Sequence, residues 1–213
     1  MPTLLLVRHA QASFGAGEYD RLSPLGRRQA EVLSEALERR GIRPARLLSG
    51  PRRRQRETAA VIGERRGLDP RDDEAWDEYD ADAILGAAGA PGLDGSDLDR
   101  RRFQLLLDEA LLAWVERPEG GWSGFRDRAT AAAADLAGDL GRGETAVVVT
   151  SAGVIAAIAC ALLDLPPAAF VALNRVAVNT AVTVVAVGSS PALLSFNEHA
   201  HLGAAGSDLL TYR

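Results

Sequence analysis

Two short, unbroken apolar runs constrain this chain more than any other feature: Thr3–Val7 near the start and Thr145–Thr150 in the second half. A strand with water on one face alternates apolar and polar residues. Leu4-Leu5-Leu6-Val7 and Ala146-Val147-Val148-Val149 have no polar side. Such runs suit strands buried on both faces, the condition of a sheet covered by helices above and below. The sequence between and around them supplies those helices. Ser23-Pro24 opens one in capping style, Ala30, Leu33, Ala36 and Leu37 give it an apolar stripe, and Gly41 ends it.

Further along, Arg46–Ser49 reads as a second strand and Arg54–Arg66 as a helix turning Ala59, Val61 and Ile62 to the core. Leu98–Trp114 and Phe125–Leu140 have helical periodicity, joined by the turn-rich Arg117–Ser123. The apolar helix Val154–Leu163 stops at Pro166-Pro167, and Ala181–Val187 and Leu193–Phe196 close the chain as strands. Ala81–Gly95, rich in Ala, Gly and Asp, predicts an irregular surface excursion overhanging a site. Alternating strands and helices predict an α/β fold, a three-layer α/β/α sandwich around a mostly parallel central sheet. With 213 residues, no repeat and no linker, the expectation is one domain over 1–213 with an excursion around 81–123.

Composition removes several function classes. Net charge is −5, so no general positive field favours nucleic acid. The chain has no Lys, which excludes P-loop and Schiff-base chemistry. A single cysteine, Cys160, lies in an apolar run and reads as a buried structural thiol rather than a reactive one. The start shows no basic leader, and Gly, Pro or charge breaks every apolar stretch before it reaches membrane-spanning length. These features predict a cytoplasmic protein without membrane or nucleic-acid partners. The apolar C-terminal half leaves room for a homodimer surface.

His9 and Arg8 directly follow the first strand, and in open α/β sheets ligands gather beyond the carboxyl ends of strands. An imidazole there can be a nucleophile, a general base or a metal ligand. Metal is the weakest of the three, since the chain has three histidines and no ligand pair at helical spacing.

The surrounding motifs add a resemblance. Arg8-His9, then Leu22-Ser23-Pro24-Leu25-Gly26 with Gln29-Ala30, then Ser49-Gly50-Pro51-Arg52-Arg53-Arg54 with Thr58-Ala59, occur in that order. Trp76-Asp77-Glu78 and Thr150-Ser151-Ala152-Gly153-Val154-Ile155 follow. The set, spanning nearly the whole chain, resembles the histidine phosphatase superfamily, also called phosphoglycerate-mutase-like. The resemblance implies that fold, a nucleophilic His9, phosphate-binding Arg8 and Arg54 (the arginine four residues before Thr58) and a proton donor at Glu78. It also places Ser151 at the anion.

The chemistry is coherent on physical grounds. Guanidinium groups hold phosphoryl oxygens through paired, charge-assisted hydrogen bonds. Neutral His9 can then attack phosphorus in line to form a phosphohistidine, its other ring nitrogen donating to a carbonyl. A carboxylic acid such as Glu78 can supply the proton that the leaving alkoxide needs, with Asp77 and Asp80 as rivals in the acidic run. No metal or cofactor is required. Arg52, Arg53 and Arg56 read as a solvated face, and Trp76, Trp114 and Trp122 as core or rim aromatics rather than substrate platforms.

The chain also departs from the pattern. Ser151 stands where Ser-His-Gly-Gly would bring a second histidine, and a hydroxyl donates a hydrogen bond but carries no positive charge. The loss is expected to weaken stabilisation of the transferring group by about one to three orders of magnitude. The helix N-terminus near Gly153 offsets part of this. Ala10 replaces a glycine, Ala12 and Gly15 replace phosphate contacts, and Ser13 offers a hydroxyl one position out of register. His199 and His201 sit in an Asn-to-His-Leu ending to which the resemblance gives a structural part, His201 matching better. The expected function is a phosphomonoester phosphatase of reduced activity, acting on a small phosphorylated substrate or a phosphoprotein. The alternative is a weak or inactive member that binds a phosphorylated ligand. A mutase ranks last, for want of a lid and a complete site.

Overall fold

In the computed structural model, residues 1–13, 20–90, 100–117, 119 and 121–212 are described. The strand expected at the start is β1 (Thr3–Arg8), and the capped helix is α1 (Pro24–Arg39). Ser23 is its N-cap, the Oγ accepting from the Gly26 N–H at 2.9 Å, and Gly41 leaves the helix at φ +70°. Then come β2 (Arg46–Ser49), α2 (Arg53–Glu64) and the two-residue β3 (Arg71–Asp72). Next are α3 (Ala81–Ala87), α4 (Arg100–Glu116), α5 (Trp122–Gly138), β4 (Thr145–Thr150) and α6 (Ala152–Leu162). The chain ends with α7 (Ala169–Val176), β5 (Val182–Ala186), β6 (Ala192–Glu198) and α8 (Ala200–Ala205).

Among the described residues one six-stranded sheet runs β3-β2-β4-β1-β5-β6. The first four strands in that order are mutually parallel; β5 is antiparallel to β1, and β6 to β5. The apolar runs occupy its centre, β1 and β4 pairing in register from Thr3↔Thr145 to Arg8↔Thr150. Their alternate side chains enter two different cores. Leu5, Val7, Val147 and Val149 pack with Leu33 and Leu37 of α1 and Ala59 and Ile62 of α2. Leu4, Leu6, Ala146 and Val148 pack with Leu107 and Leu111 of α4, Phe125 of α5, Ile158 of α6 and Phe170 of α7. The fold is a three-layer α/β/α sandwich, and the unbroken apolar runs are the consequence of two buried faces.

Two local readings need correction. The stretch expected to be irregular from Ala81 begins as helix α3, because Asp80 caps it through Ala83 N–H at 3.0 Å and Ile84 and Leu85 are buried. Residues 91–95 of that stretch, like Gly15, lie outside the described residues. The Pro166-Pro167 stop is followed at once by α7, whose first turn takes the Pro166 and Pro167 carbonyls. The first helix ends before the prolines, with Asp164 at φ +50° and the Leu165 N–H returning to the Cys160 carbonyl at 2.9 Å, and proline is tolerated just ahead of the next helix. No helix among the described residues is long and apolar enough to cross a membrane.

Candidate active site

The carboxyl ends of β1 and β4 lie side by side at the centre of the sheet, and the predicted site residues gather there. Arg8 ends β1 and His9 follows it, its N–H donating to the Thr150 carbonyl at 2.8 Å. The turn before β5 secures the same strand end from its other side. Thr180 N–H donates to Arg8 O at 3.0 Å, and Asn179 Nδ2 donates to His9 O at 3.0 Å. Thr180 adopts φ +61°, a conformation a β-branched residue resists, and here two hydrogen-bonded strand ends hold it.

Arg8, His9, Arg54, Glu78 and Ser151 are all buried. His9 Nδ1 lies 2.8 Å from the Ala10 carbonyl, which can only accept, so this nitrogen carries the proton. On the other edge, Arg54 Nε donates to His9 Nε2 at 3.0 Å, and a guanidinium can only donate. Both contacts specify the same tautomer, with the lone pair on Nε2. Arg8 donates to the Ala177 carbonyl.

Thr58 explains the four-residue spacing from Arg54. Its Oγ1 donates back to the Arg54 carbonyl at 2.7 Å and accepts from the Ala10 N–H at 3.0 Å. One hydroxyl thus joins α2 to the loop carrying the imidazole.

Glu78 reaches the start of α6: Gly153 N–H donates to its Oε2 at 3.1 Å, and Tyr79 N–H donates to Oε1 at 3.1 Å. A Cβ on residue 153 would lie 2.2 Å from Glu78 Oε1 and 2.6 Å from the Tyr79 ring, so the close approach requires glycine. The rival acids have other work. Asp77 pairs with Arg52 at 2.6 Å and accepts the Glu78 N–H, while Asp80 caps α3.

Arg52 is accordingly half-buried and held, not part of a solvated face. Desolvation opposes its charge, but the Asp77 hydrogen bond and charge, with Glu78 and Asp20 beyond, outweigh this and raise its pKa. Arg53 and Arg56 are exposed, Arg53 pairing with Glu57 at 2.7 Å and Arg56 with Asp72 at 3.4 Å. Trp76 and Trp122 are buried in the core, and Trp114 packs against it.

Three residues in contact with the predicted site residues escaped sequence reasoning. Asp20 pairs with Arg54 Nη1 and takes the Arg53 N–H at 2.8 Å, covering the N-terminus of α2 with a carboxylate. Its φ of +87° is the local signature, and sequence alone does not show it. Gln55, fully buried, donates from Nε2 to Ser151 Oγ at 2.8 Å. Asn179, described above, carried no motif. The two late histidines stand apart. His199 Nδ1 lies 2.7 Å from Asn197 O, and His201 Nε2 lies 3.3 Å from Thr180 Oγ1.

Among the described residues no group of three His, Cys, Asp or Glu side chains is arranged to hold a metal ion. A mainly apolar cleft of about 580 Å³ between α3 and α4, lined by Ile84, Ala110 and Trp114 among others, contains none of the predicted site residues. Convergent donors, not cleft size, mark the site.

The profile of the histidine phosphatase superfamily (branch 1) matches residues 4–198. Glucosyl-3-phosphoglycerate phosphatase of Mycobacterium tuberculosis is 32% identical over 192 residues, covering 80% of this chain and 79% of that protein. The structure of mycobacterial glucosyl-3-phosphoglycerate phosphatase with inorganic phosphate superposes with a TM-score of 0.67 at 28% identity, covering 93% of this chain and 98% of that one. Phosphoserine phosphatase from Entamoeba histolytica in complex with 3-phosphoglyceric acid shares the fold, with a TM-score of 0.67 at 18% identity over 95% of this chain and its own full length.

Proposed function

The chain belongs to the histidine phosphatase superfamily, and on that premise we propose that His9 Nε2 receives the phosphoryl group of a small phosphomonoester. It is a phosphoric monoester hydrolase of that superfamily, like the relatives it matches. The observation that carries the reading is the Nε2 lone pair, set by the Ala10 carbonyl and directed at the Arg54 guanidinium. A phosphate drawn to Arg8 and Arg54 would meet that lone pair.

The steps follow from the groups at hand. Nε2 attacks phosphorus, the ester P–O bond breaks, and the leaving oxygen takes a proton from the Glu78 carboxyl group. Water then attacks the phosphohistidine, the Glu78 carboxylate takes its proton, and the P–N bond breaks to release phosphate and neutral His9. Arg8, Arg54 and the Ser151 hydroxyl hold the equatorial oxygens throughout.

The Ser151 position supports a second reading, a member that binds phosphate compounds and turns them over slowly. Phosphatase assays with p-nitrophenyl phosphate separate the two, comparing wild type with His9→Ala. Activity lost in the variant, with 32P retained on acid-quenched wild type, supports the nucleophile. Equal rates refute it.

A small substrate, rather than a phosphoprotein, fits an imidazole only 6% exposed. The partner reading extends to a homodimer, supported by Leu163, Val176 and Leu194, which remain exposed, and analytical ultracentrifugation tests it. A cytoplasmic location belongs to the same reading, supported by the one buried, unpaired Cys160, and cell fractionation tests it. We also read residues 1–213 as one domain, since one sheet collects strands from Thr3 to Glu198.

A further inference from the structure

We propose that Gln55 is a positioning residue whose carboxamide holds Ser151 as a hydrogen-bond donor to the phosphoryl group, the pair standing in for the second histidine. The inference rests on the anion site of the preceding section. Gln55 is fully buried, and its Oε1 accepts the Arg52 backbone N–H at 2.9 Å. A backbone N–H can only donate, so the amide cannot be reversed, and its NH2 group faces Ser151 Oγ at 2.8 Å. The Ser151 oxygen is therefore an acceptor toward Gln55, and its hydrogen must point elsewhere.

That hydrogen is not aimed at Gln55, and the hydroxyl does not cap the adjoining helix. Ser151 occupies the N-cap position of α6 in extended conformation, yet its side chain caps nothing, and Glu78 takes the Gly153 N–H instead. Residue 150, one before it, accepts from the His9 N–H, and Gln55 directly follows Arg54 on α2. The pair thus joins the residue after the strand end that holds the His9 backbone to the residue after Arg54, whose Nε contacts Nε2.

A double-mutant cycle tests the pairing with p-nitrophenyl phosphate as substrate and thermal melting to confirm folding. Ser151→Ala is expected to lower kcat about 100-fold, and Gln55→Leu about 10-fold with KM within about twofold. In the Ser151→Ala background, Gln55→Leu should add less than about twofold, because the two act as one unit. Gln55→Glu should lower kcat further than Gln55→Leu, since its second oxygen accepts and turns the hydroxyl hydrogen away from phosphate. A merely structural role would not order the two variants this way.

Full multiplication of the two effects, or Gln55→Glu no worse than Gln55→Leu, overturns the pairing. Orthovanadate affinity, measured by calorimetry, reads the same cycle without turnover, and Gln55→Leu should lose about tenfold only while Ser151 is present. If wild type hydrolyses no faster than His9→Ala, the phosphohistidine reading fails while the vanadate cycle still decides the pairing. If orthovanadate binds none of the proteins, both fall.

Discussion

Replacing Thr58 by valine isolates the link between α2 and the imidazole loop, because valine keeps the shape and removes only the hydroxyl. Two hydrogen bonds disappear, and they are unequal. The Arg54 carbonyl loses Thr58 Oγ1 at 2.7 Å but keeps the helical N–H four residues on. The Ala10 N–H loses its 3.0 Å acceptor at a residue with no solvent exposure, so it is left buried and unsatisfied. Such a group costs about 1–3 kcal/mol. Taking about 2 kcal/mol, the melting temperature of a chain this size should fall by about 4–8 °C.

Function should fall along with stability. Ala10 also supplies the carbonyl that fixes the His9 tautomer at 2.8 Å, and a peptide that rotates to satisfy its N–H moves that carbonyl. Urea unfolding and p-nitrophenyl phosphate kinetics below the melting range measure the two effects separately. Thr58→Val should lose at least about tenfold in kcat, with Thr58→Ser recovering most of it. A Thr58→Val protein within about 0.5 kcal/mol of wild type, or with unchanged kcat, would refute the reasoning.

Three more outcomes are expected. Gly153→Ala puts a Cβ 2.2 Å from Glu78 Oε1, so either Glu78 or α6 must move; unfolding should show a loss of about 1–3 kcal/mol, and kcat should fall with it. Unchanged kcat would remove Glu78 from proton transfer. Asp20→Asn removes the carboxylate that competes with phosphate for Arg54, and inhibition by inorganic phosphate should tighten about tenfold; weaker inhibition would mean that Asp20 helps form the anion site.

His201 sets an acid limit on stability. Burial first, then the like charges of His199, Arg40 and Arg39 against the opposing Glu198, push its pKa down from 6.5 to about 4. The native imidazole stays neutral while the unfolded one protonates, so its contribution is intact above pH 6.5 and drains as pH falls toward about 4. After allowance for partial exposure the loss is about 2 kcal/mol, and urea melts of His201→Gln should be flatter across that window. An identical pH dependence would exclude His201 as the source.

What could be read from the chain alone was whatever local chemistry dictates. Leu4 to Val7 and Ala146 to Val149 have no polar face, so they had to be strands covered on both sides, and Ser23 and Gly41 marked helix ends through their own backbone preferences. His9 and Arg8 stood out as candidates because they follow a strand end, and Arg54 because its place before Thr58 resembles the histidine phosphatase pattern. Tertiary structure alone could decide which groups at distant positions share an atom. Gln55 meets Ser151 only because α2 and the start of α6 converge beyond the ends of β2 and β4. Asp77 is held by Arg52, a partner that the sequence does not reveal. The tautomer of His9 likewise depends on a guanidinium 45 residues away. Hydrogen bonds act over about 3 Å in space, and separation along the chain does not report that distance.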